Sequence, residues 1–181
     1  MVLGDALLAE VEGRVLYTLA ADYQTRHGGI LRTPEELNLF AEYNRPEIVR
    51  HFGVHFDPAK HNKGILWFDE QGAIITKLDT SGAVERHHYK NEFVSAILFS
   101  WTSQNQMGPN SSTGRKFLEA DAEGRTLRLF VQPRSHKPAL YMGQVTVDSF
   151  QGSEPMQVNL KLEKSIPALV LAELGVKLSE G

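Results

Sequence analysis

The spacing of apolar residues changes once along the chain. Over residues 5–27 the apolar side chains Leu7, Leu8, Val11, Val15, Leu16, Leu19 and Tyr23 recur at helical spacing, acids sit near the start, and Gly28-Gly29 closes the run. Thr33-Pro34-Glu35-Glu36 reads as a helix opening, with Thr33 as cap, proline at the first position and Glu36 completing a capping box. Asn44-Arg45-Pro46-Glu47 opens another short helix, which Gly53 stops. From Gly64 onward the period shortens. Residues 65–68, 73–78, 93–101, 126–131, 140–150 and 156–162 read as strands, the start of the third admitting a helical turn. Glu70-Gln71-Gly72, Thr80-Ser81-Gly82 and Gly152-Ser153-Glu154-Pro155 are turn signals. A short helix is expected over 112–122, ended by Gly124, and a terminal one over 167–174, closed by Gly175.

Helices followed by strands with short turns predict an α+β fold. N-terminal helices pack on a curved, mainly antiparallel sheet, as a sandwich or partial barrel. No repeat or linker divides the chain. It reads as one domain over 1–181, with an N-terminal helical region over 1–42, a core over 43–167 and a terminal helix over 168–181.

Composition narrows the chemistry. The 181 residues include no cysteine, which removes disulfides, thiolate metal sites and thiol nucleophiles. The N-terminus is acidic and has no basic-then-apolar leader, and no apolar run approaches the roughly 20 residues of a membrane span. A soluble, cytoplasmic protein is expected. The net charge of −3 disfavours an anionic partner, but the charge is uneven. Residues 101–137 carry Arg115, Lys116, Arg125, Arg128, Arg134 and Lys137 against Glu119, Asp121 and Glu123. Local field governs attraction of an anion more than net charge does.

Candidate chemistry is thin for catalysis. His51 and His55 lie four apart, but Gly53 between them breaks the helix that would align them. His61 follows later, and His87-His88 point opposite ways on a strand. No metal site is expected. The compact acid–base run Lys161-Leu162-Glu163-Lys164 has no partner aspartate, and neither a phosphate-cradling loop nor a nucleophile elbow is present. No cofactor is implied. Binding remains. Residues 43–64 bring Arg45, Arg50, Lys60 and Lys63 together with His51, His55 and His61, residue types that contact phosphate. Residues 101–116 form a polar, amide-rich loop, long for an unstructured connector, which offers Gln104, Asn105, Gln106 and Asn110 to base edges or sugar. Trp101 is either a core residue or an apolar wall beside that loop.

Four segments in order carry a resemblance: 43-YNRPEIVRHFG-53, 98-LFSWTSQNQ-106 with 111-SSTGRKFLE-119, 127-LRLFVQ-132, and 140-LYMGQVTVDSFQGSEPMQVNLKLEKSIP-167. They resemble a domain of unknown function at the C-terminus of bacterial superfamily-2 helicases associated with DNA restriction. More distantly they are similar to the sulfur-binding domains of modification-dependent, McrA-type restriction endonucleases, which recognise phosphorothioate DNA. The resemblance implies a non-catalytic domain that binds double-stranded, phosphorothioate-modified DNA within a type IV restriction or defence system, alongside a nuclease or helicase module. Arg45, Arg50, His55, His61, Lys63, Ser103, Gln104, Asn105, Arg115 and Lys116 would contact DNA. Trp101, Thr102 and Pro109 would form the sulfur pocket, and 61-HNKG-64 stands where those domains carry a basic pair. Sulfur is larger and more weakly hydrated than oxygen, so an apolar pocket penalises oxygen more. The rival readings are a modified-base reader with a pocket for a flipped nucleotide, a metal-dependent nuclease using histidines and Glu163, and a protein-interaction domain of a helicase system.

Overall fold

The computed structural model describes residues 31–78, 90–134 and 136–178. The helix expected over 5–27, the turn at 80–82 and His87-His88 lie outside the described residues. The chain divides into two compact units, Met1–Leu37 with Arg45–His61, and Asn38–Asn44 with Asn62–Gly181.

In the first unit the Thr33-Pro34-Glu35-Glu36 signal yields a single 3-10 turn, Pro34–Glu36. The Glu36 carboxylate accepts the Thr33 N–H at 2.9 Å, closing the box from one side. Helix α1 spans Arg45–His51 and buries Ile48 and Val49 completely. Gly53 takes φ +72° just beyond it, a left-handed conformation that costs other residues a steric penalty. Helix α2, Pro58–His61, is one turn.

Among the described residues, the second unit holds an eight-stranded sheet. Its strands are β1 Glu42–Tyr43, β2 Ile65–Phe68, β3 Gln71–Lys77, β4 Glu92–Ser95, β5 Leu98–Thr102, β6 Thr126–Gln132, β7 Ala139–Gln151 and β8 Gln157–Leu162. The order is β2-β3-β6-β7-β8-β5-β4, with β1 paired to β7. Every pairing is antiparallel except β3 with β6. Helix α3, Ser112–Leu118, follows β5, and α4, Ala168–Glu173, follows β8. The expected class, with a mostly antiparallel sheet, is the one observed.

Strand β7 joins the two halves of the sheet. It pairs first with β6, from Leu140 to Val145, and then with β8, from Val145 to Gln151. Each pairing is interrupted by a register shift, one opposite Leu129 and Phe130 and one between Val147 and Ser149. Gly143, at φ +94°, sits at the first shift, where the extra residue bends the strand. One face of the sheet carries the core: Ile74, Leu129, Val131, Met142, Val158 and Leu160 are all buried there. Phe117 of α3 and Leu171 of α4 close over the same cluster.

Strand alternation places Phe99 and Trp101 inward on β5. Trp101 is 2% exposed, and its ring meets Phe117 at 5.1 Å between centroids. The side chain expected to be an apolar wall or a core residue is therefore a core residue, with no ring face open to solvent. Trp101→Ala is expected to cost about 3–5 kcal/mol of stability, through lost burial and the cavity left behind. Urea unfolding followed by far-UV circular dichroism measures it, and a loss below about 1 kcal/mol would contradict this placement.

Candidate functional site

The polar run after β5 is a pinned turn. Ser103 is buried, and its hydroxyl donates to the Met107 carbonyl at 2.9 Å while accepting the Met156 N–H at 2.9 Å. The Ser103 N–H returns to the Met156 carbonyl at 2.9 Å. The Met107 N–H closes on the Gln104 carbonyl at 2.8 Å, and the Met107 side chain enters the core. Between those two buried ends Gln104, Asn105 and Gln106 are exposed. Beyond them Ser111 caps α3 by accepting the Gly114 N–H at 3.0 Å, and its hydroxyl donates to the Gly108 carbonyl at 2.8 Å. Glycine is required at position 114, because a Cβ there would stand 1.8 Å from the Gly108 oxygen. The loop expected to be unstructured thus has both flanks fixed and presents a three-residue crown, with Asn110 beyond it, to solvent.

Neighbouring residues of the same unit add charge. A Cβ at Gly64 would lie 3.7 Å from Gln104 Nε2, so the Gln104 amide sits against the backbone next to exposed Lys63. Arg115 of α3 is exposed. Lys116 places its Nζ 4.4 Å from the centroid of the Trp67 ring and donates to the Asp69 carbonyl at 3.3 Å. Trp67 escaped the reading of the sequence. It stood inside the apolar run 65-ILWF-68, and only its pairing with Gly72 across the hairpin could have marked it.

The remaining pocket residues are engaged inside the unit. The Thr102 N–H donates to Asn91 Oδ1 at 2.8 Å, and its hydroxyl donates to Gln157 Oε1 at 3.1 Å. The buried Gln157 amide donates in turn to the Lys90 carbonyl at 3.0 Å and to the Ser100 hydroxyl. Pro109 is half-buried. Thr102 and Ser103 therefore use their polar groups internally, and the exposed amides of the loop are Gln104, Asn105, Gln106 and Asn110.

In the first unit, Arg45 is half-buried and donates from Nη1 to the His61 carbonyl at 2.9 Å, joining the start of α1 to the end of α2. Burial lowers its pKa from the ordinary arginine value. His51 is buried, its Nδ1 2.9 Å from the Glu47 carbonyl. His61 Nδ1 accepts the Asp57 N–H at 2.9 Å, and its ring lies 5.9 Å from that of Phe56. Desolvation lowers the His61 pKa; the Asp57 charge opposes this and Lys60 adds to it. Arg50 is half-buried and His55 exposed. Among the described residues, no group of three or more His, Asp or Glu side chains is placed to hold a metal. No described helix is long and apolar enough to cross a membrane.

A cleft of about 480 Å³ opens in the second unit where β6, β7 and β8 meet the turn after α3. Asp121, Glu163, Lys161 and Arg125 supply its charged lining, and Gln144, Thr126 and Thr146 its neutral polar groups. Arg125 is held by Glu70, Nε to Oε2 at 2.8 Å. With that cation compensated, the lining offers two acids against one lysine and suits a phosphate poorly. None of the lining residues is aromatic. Glu163, the residue tied to the nuclease reading, is exposed here.

Known proteins share this architecture. The family model for a domain of unknown function, DUF3427, matches residues 37–174. No curated protein matches in sequence. Among solved structures, the SUVH5 SRA complex with hemi-methylated CG DNA aligns with a TM-score of 0.50 at 15% identity, covering 76% of this chain and 96% of that one. SUVH5 SRA bound to fully hydroxymethylated CG DNA aligns at 0.50 and 13% identity, covering 76% and 97%. The DNA modification-dependent restriction endonuclease AspBHI gives 0.46 and 12% identity, covering 78% and 82%. At these identities the likeness to the two SRA complexes is one of fold.

Two outcomes test the local geometry. Ser103→Ala removes the hydroxyl that satisfies the buried Met156 N–H. It is expected to destabilise the protein by about 1–3 kcal/mol in urea unfolding. A neutral substitution would mean that the turn is held by something else. For His61 the folded state favours the neutral ring, because burial disfavours the charged form, and the neutral ring is also the form that accepts the Asp57 N–H. Its contribution is full above the unfolded histidine value of about 6.5 and is lost as pH falls through the lowered folded pKa. His61→Asn keeps an acceptor and does not titrate. It is expected to flatten the fall in melting temperature between about pH 7 and 5, and identical wild-type and variant profiles would contradict the assignment.

Proposed function

The chain belongs to the DUF3427 family of domains of unknown function, and on that footing we propose that it is a non-catalytic DNA-binding domain that recognises modified DNA. The finer reading is that the modification is a phosphorothioate backbone, within a restriction or defence system. One observation carries the proposal: the exposed Gln104-Asn105-Gln106 crown is held between buried Ser103 and Met107, beside Lys63 and next in chain to the cations of α3. A turn whose backbone is fixed at both ends gives up less backbone entropy on binding, and amides pair with base edges. Lys63, Arg115 and Lys116 supply attraction common to plain and modified DNA. In the first unit, Arg45, Arg50, His55 and His61 add phosphate contacts of the same sequence-independent kind. Selection of sulfur needs an apolar surface. Trp101 is buried too deeply for that role, so it falls to Pro109.

A second reading, a modified base held out of the duplex, draws support from the 480 Å³ cleft and from the fold shared with SRA domains solved on methylated and hydroxymethylated DNA. The absence of an aromatic lining in the cleft weighs against it, because extruded bases are held by stacking as well as by hydrogen bonds.

The test is a titration of matched duplexes at fixed salt: plain, phosphorothioated, and carrying methylated or hydroxymethylated cytosine. The phosphorothioate duplex is expected to bind at least about tenfold tighter than the plain one, equivalent to roughly 1.4 kcal/mol. Tighter binding of the base-modified duplexes alone would select the second reading, and equal curves throughout would sink both. Gln104→Ala and Asn105→Ala are expected to relax sequence preference by about 1–3 kcal/mol each. Magnesium or manganese added to the same tubes is expected to yield no cut products.

A further inference from the structure

Lys116 is held in an unusual way for a surface lysine. Its Nζ lies 4.4 Å from the centroid of the Trp67 ring and donates one N–H to the Asp69 carbonyl at 3.3 Å. An ion pair would have cancelled its charge. A carbonyl and an aromatic face fix the ammonium without neutralising it, and leave two of its three N–H groups for another acceptor. The support beneath it is built in layers. Trp67 on β2 pairs with Gly72 on β3, and the glycine leaves room for the ring: a Cβ at Gly72 would stand 3.1 Å from Cζ3 and 3.3 Å from Cη2 of Trp67. The same Cβ would stand 2.7 Å from Leu127 Cδ2. The turn between the two strands sets the second contact. Asp69 takes φ +53°, a conformation that aspartate tolerates better than most residues, and its carbonyl receives the ammonium.

We infer that Trp67, seated on Gly72, is a positioning residue that holds the Lys116 ammonium ready for a phosphate or phosphorothioate oxygen. The inference rests on the DNA-binding reading above and adds Trp67 to that surface, a residue which neither the loop composition nor the cation pattern indicated. Its energetic basis is entropic. A lysine has four rotatable side-chain bonds, and freezing them on contact with a phosphate opposes binding; a lysine already frozen avoids that loss at the moment of binding. Affinity should therefore depend on Trp67 although the tryptophan itself touches no DNA.

The experiment has two independent readouts. In the DNA-free protein, NMR of the Lys116 side chain is expected to show its Hε protons shifted upfield by the ring current. Trp67→Leu is expected to remove the shift, and Trp67→Phe to retain some of it. Gly72→Ala, which keeps the tryptophan and displaces it, is expected to reduce the shift and serves if Trp67→Leu folds poorly. In the DNA titration, Trp67→Leu is expected to weaken binding about threefold to tenfold, with Trp67→Phe in between. In a Lys116→Gln background Trp67→Leu is expected to have no further effect, because the two residues act as one unit. Lys116→Gln alone is expected to make the salt dependence shallower by about one unit of slope. Unshifted Lys116 protons, or a Trp67→Leu loss that persists undiminished in the Lys116→Gln background, would overturn the positioning role. Shifted protons with affinity unmoved by Lys116→Gln would instead overturn DNA binding at this face and leave the pair a structural contact.

Discussion

One hydroxyl decides what the most polar stretch of this chain can do. Ser103 takes the N–H of Met156 and gives its proton to the carbonyl of Met107, so a single buried atom joins the end of β5, the turn that follows it and the segment that opens β8. Removing a polar group from water without a partner is costly, and here both partners are backbone groups that would otherwise be unsatisfied. The arrangement leaves Gln104, Asn105 and Gln106 nowhere to go but outward. The packing on the far side strengthens it. Gly108 lies so close to the β7–β8 turn that a Cβ would approach the Ser153 oxygen to 2.5 Å, and Gly114 lies closer still to Gly108.

The sheet was legible in the sequence because its strands alternate or run apolar and its turns are marked by glycine, asparagine-like polar residues and proline. The crossing of β3 to β6 in parallel was not, since local pattern carries no information on which strands become neighbours. Trp101 shows the limit of reading by neighbourhood. Alternation along Phe99-Ser100-Trp101 already put both aromatics on one face, but the polar run after them drew attention to a possible surface role. Thr33-Pro34-Glu35-Glu36 carries the chemistry of a helix start and delivers a single 3-10 turn, because capping sets how a turn begins and the residues after Glu36 decide whether it continues. Trp67 went unnoticed for the opposite reason. Its significance lies in Gly72 and Lys116, which are remote in sequence or silent as single letters.

The two charged regions behave differently. On α3, Lys116 is held by neutral groups, and its field survives. At the cleft beside β8 the acids Asp121 and Glu163 outweigh Lys161, and Arg125 is spent on Glu70. A single net charge of −3 averages these and describes neither. An anionic polymer approaching the second unit would be drawn to one region and repelled from the other, which gives the proposed encounter a direction before any contact forms.

The parallel pair β3–β6 bears on how the molecule assembles in time. Hairpins such as β2–β3 and β7–β8 close over short loops, but β6 can join β3 only after the chain between Leu78 and Arg125 has been gathered in. That interval contains β4, β5, the pinned turn and α3. Closing so long a loop is entropically expensive, so this seam is a natural slow step of folding. The stretch that presents the crown is thus also the stretch whose collapse brings β3 and β6 into contact. A sequence free to vary its crown is much less free to vary the flanks, because those flanks serve the closing of the sheet as well as the surface.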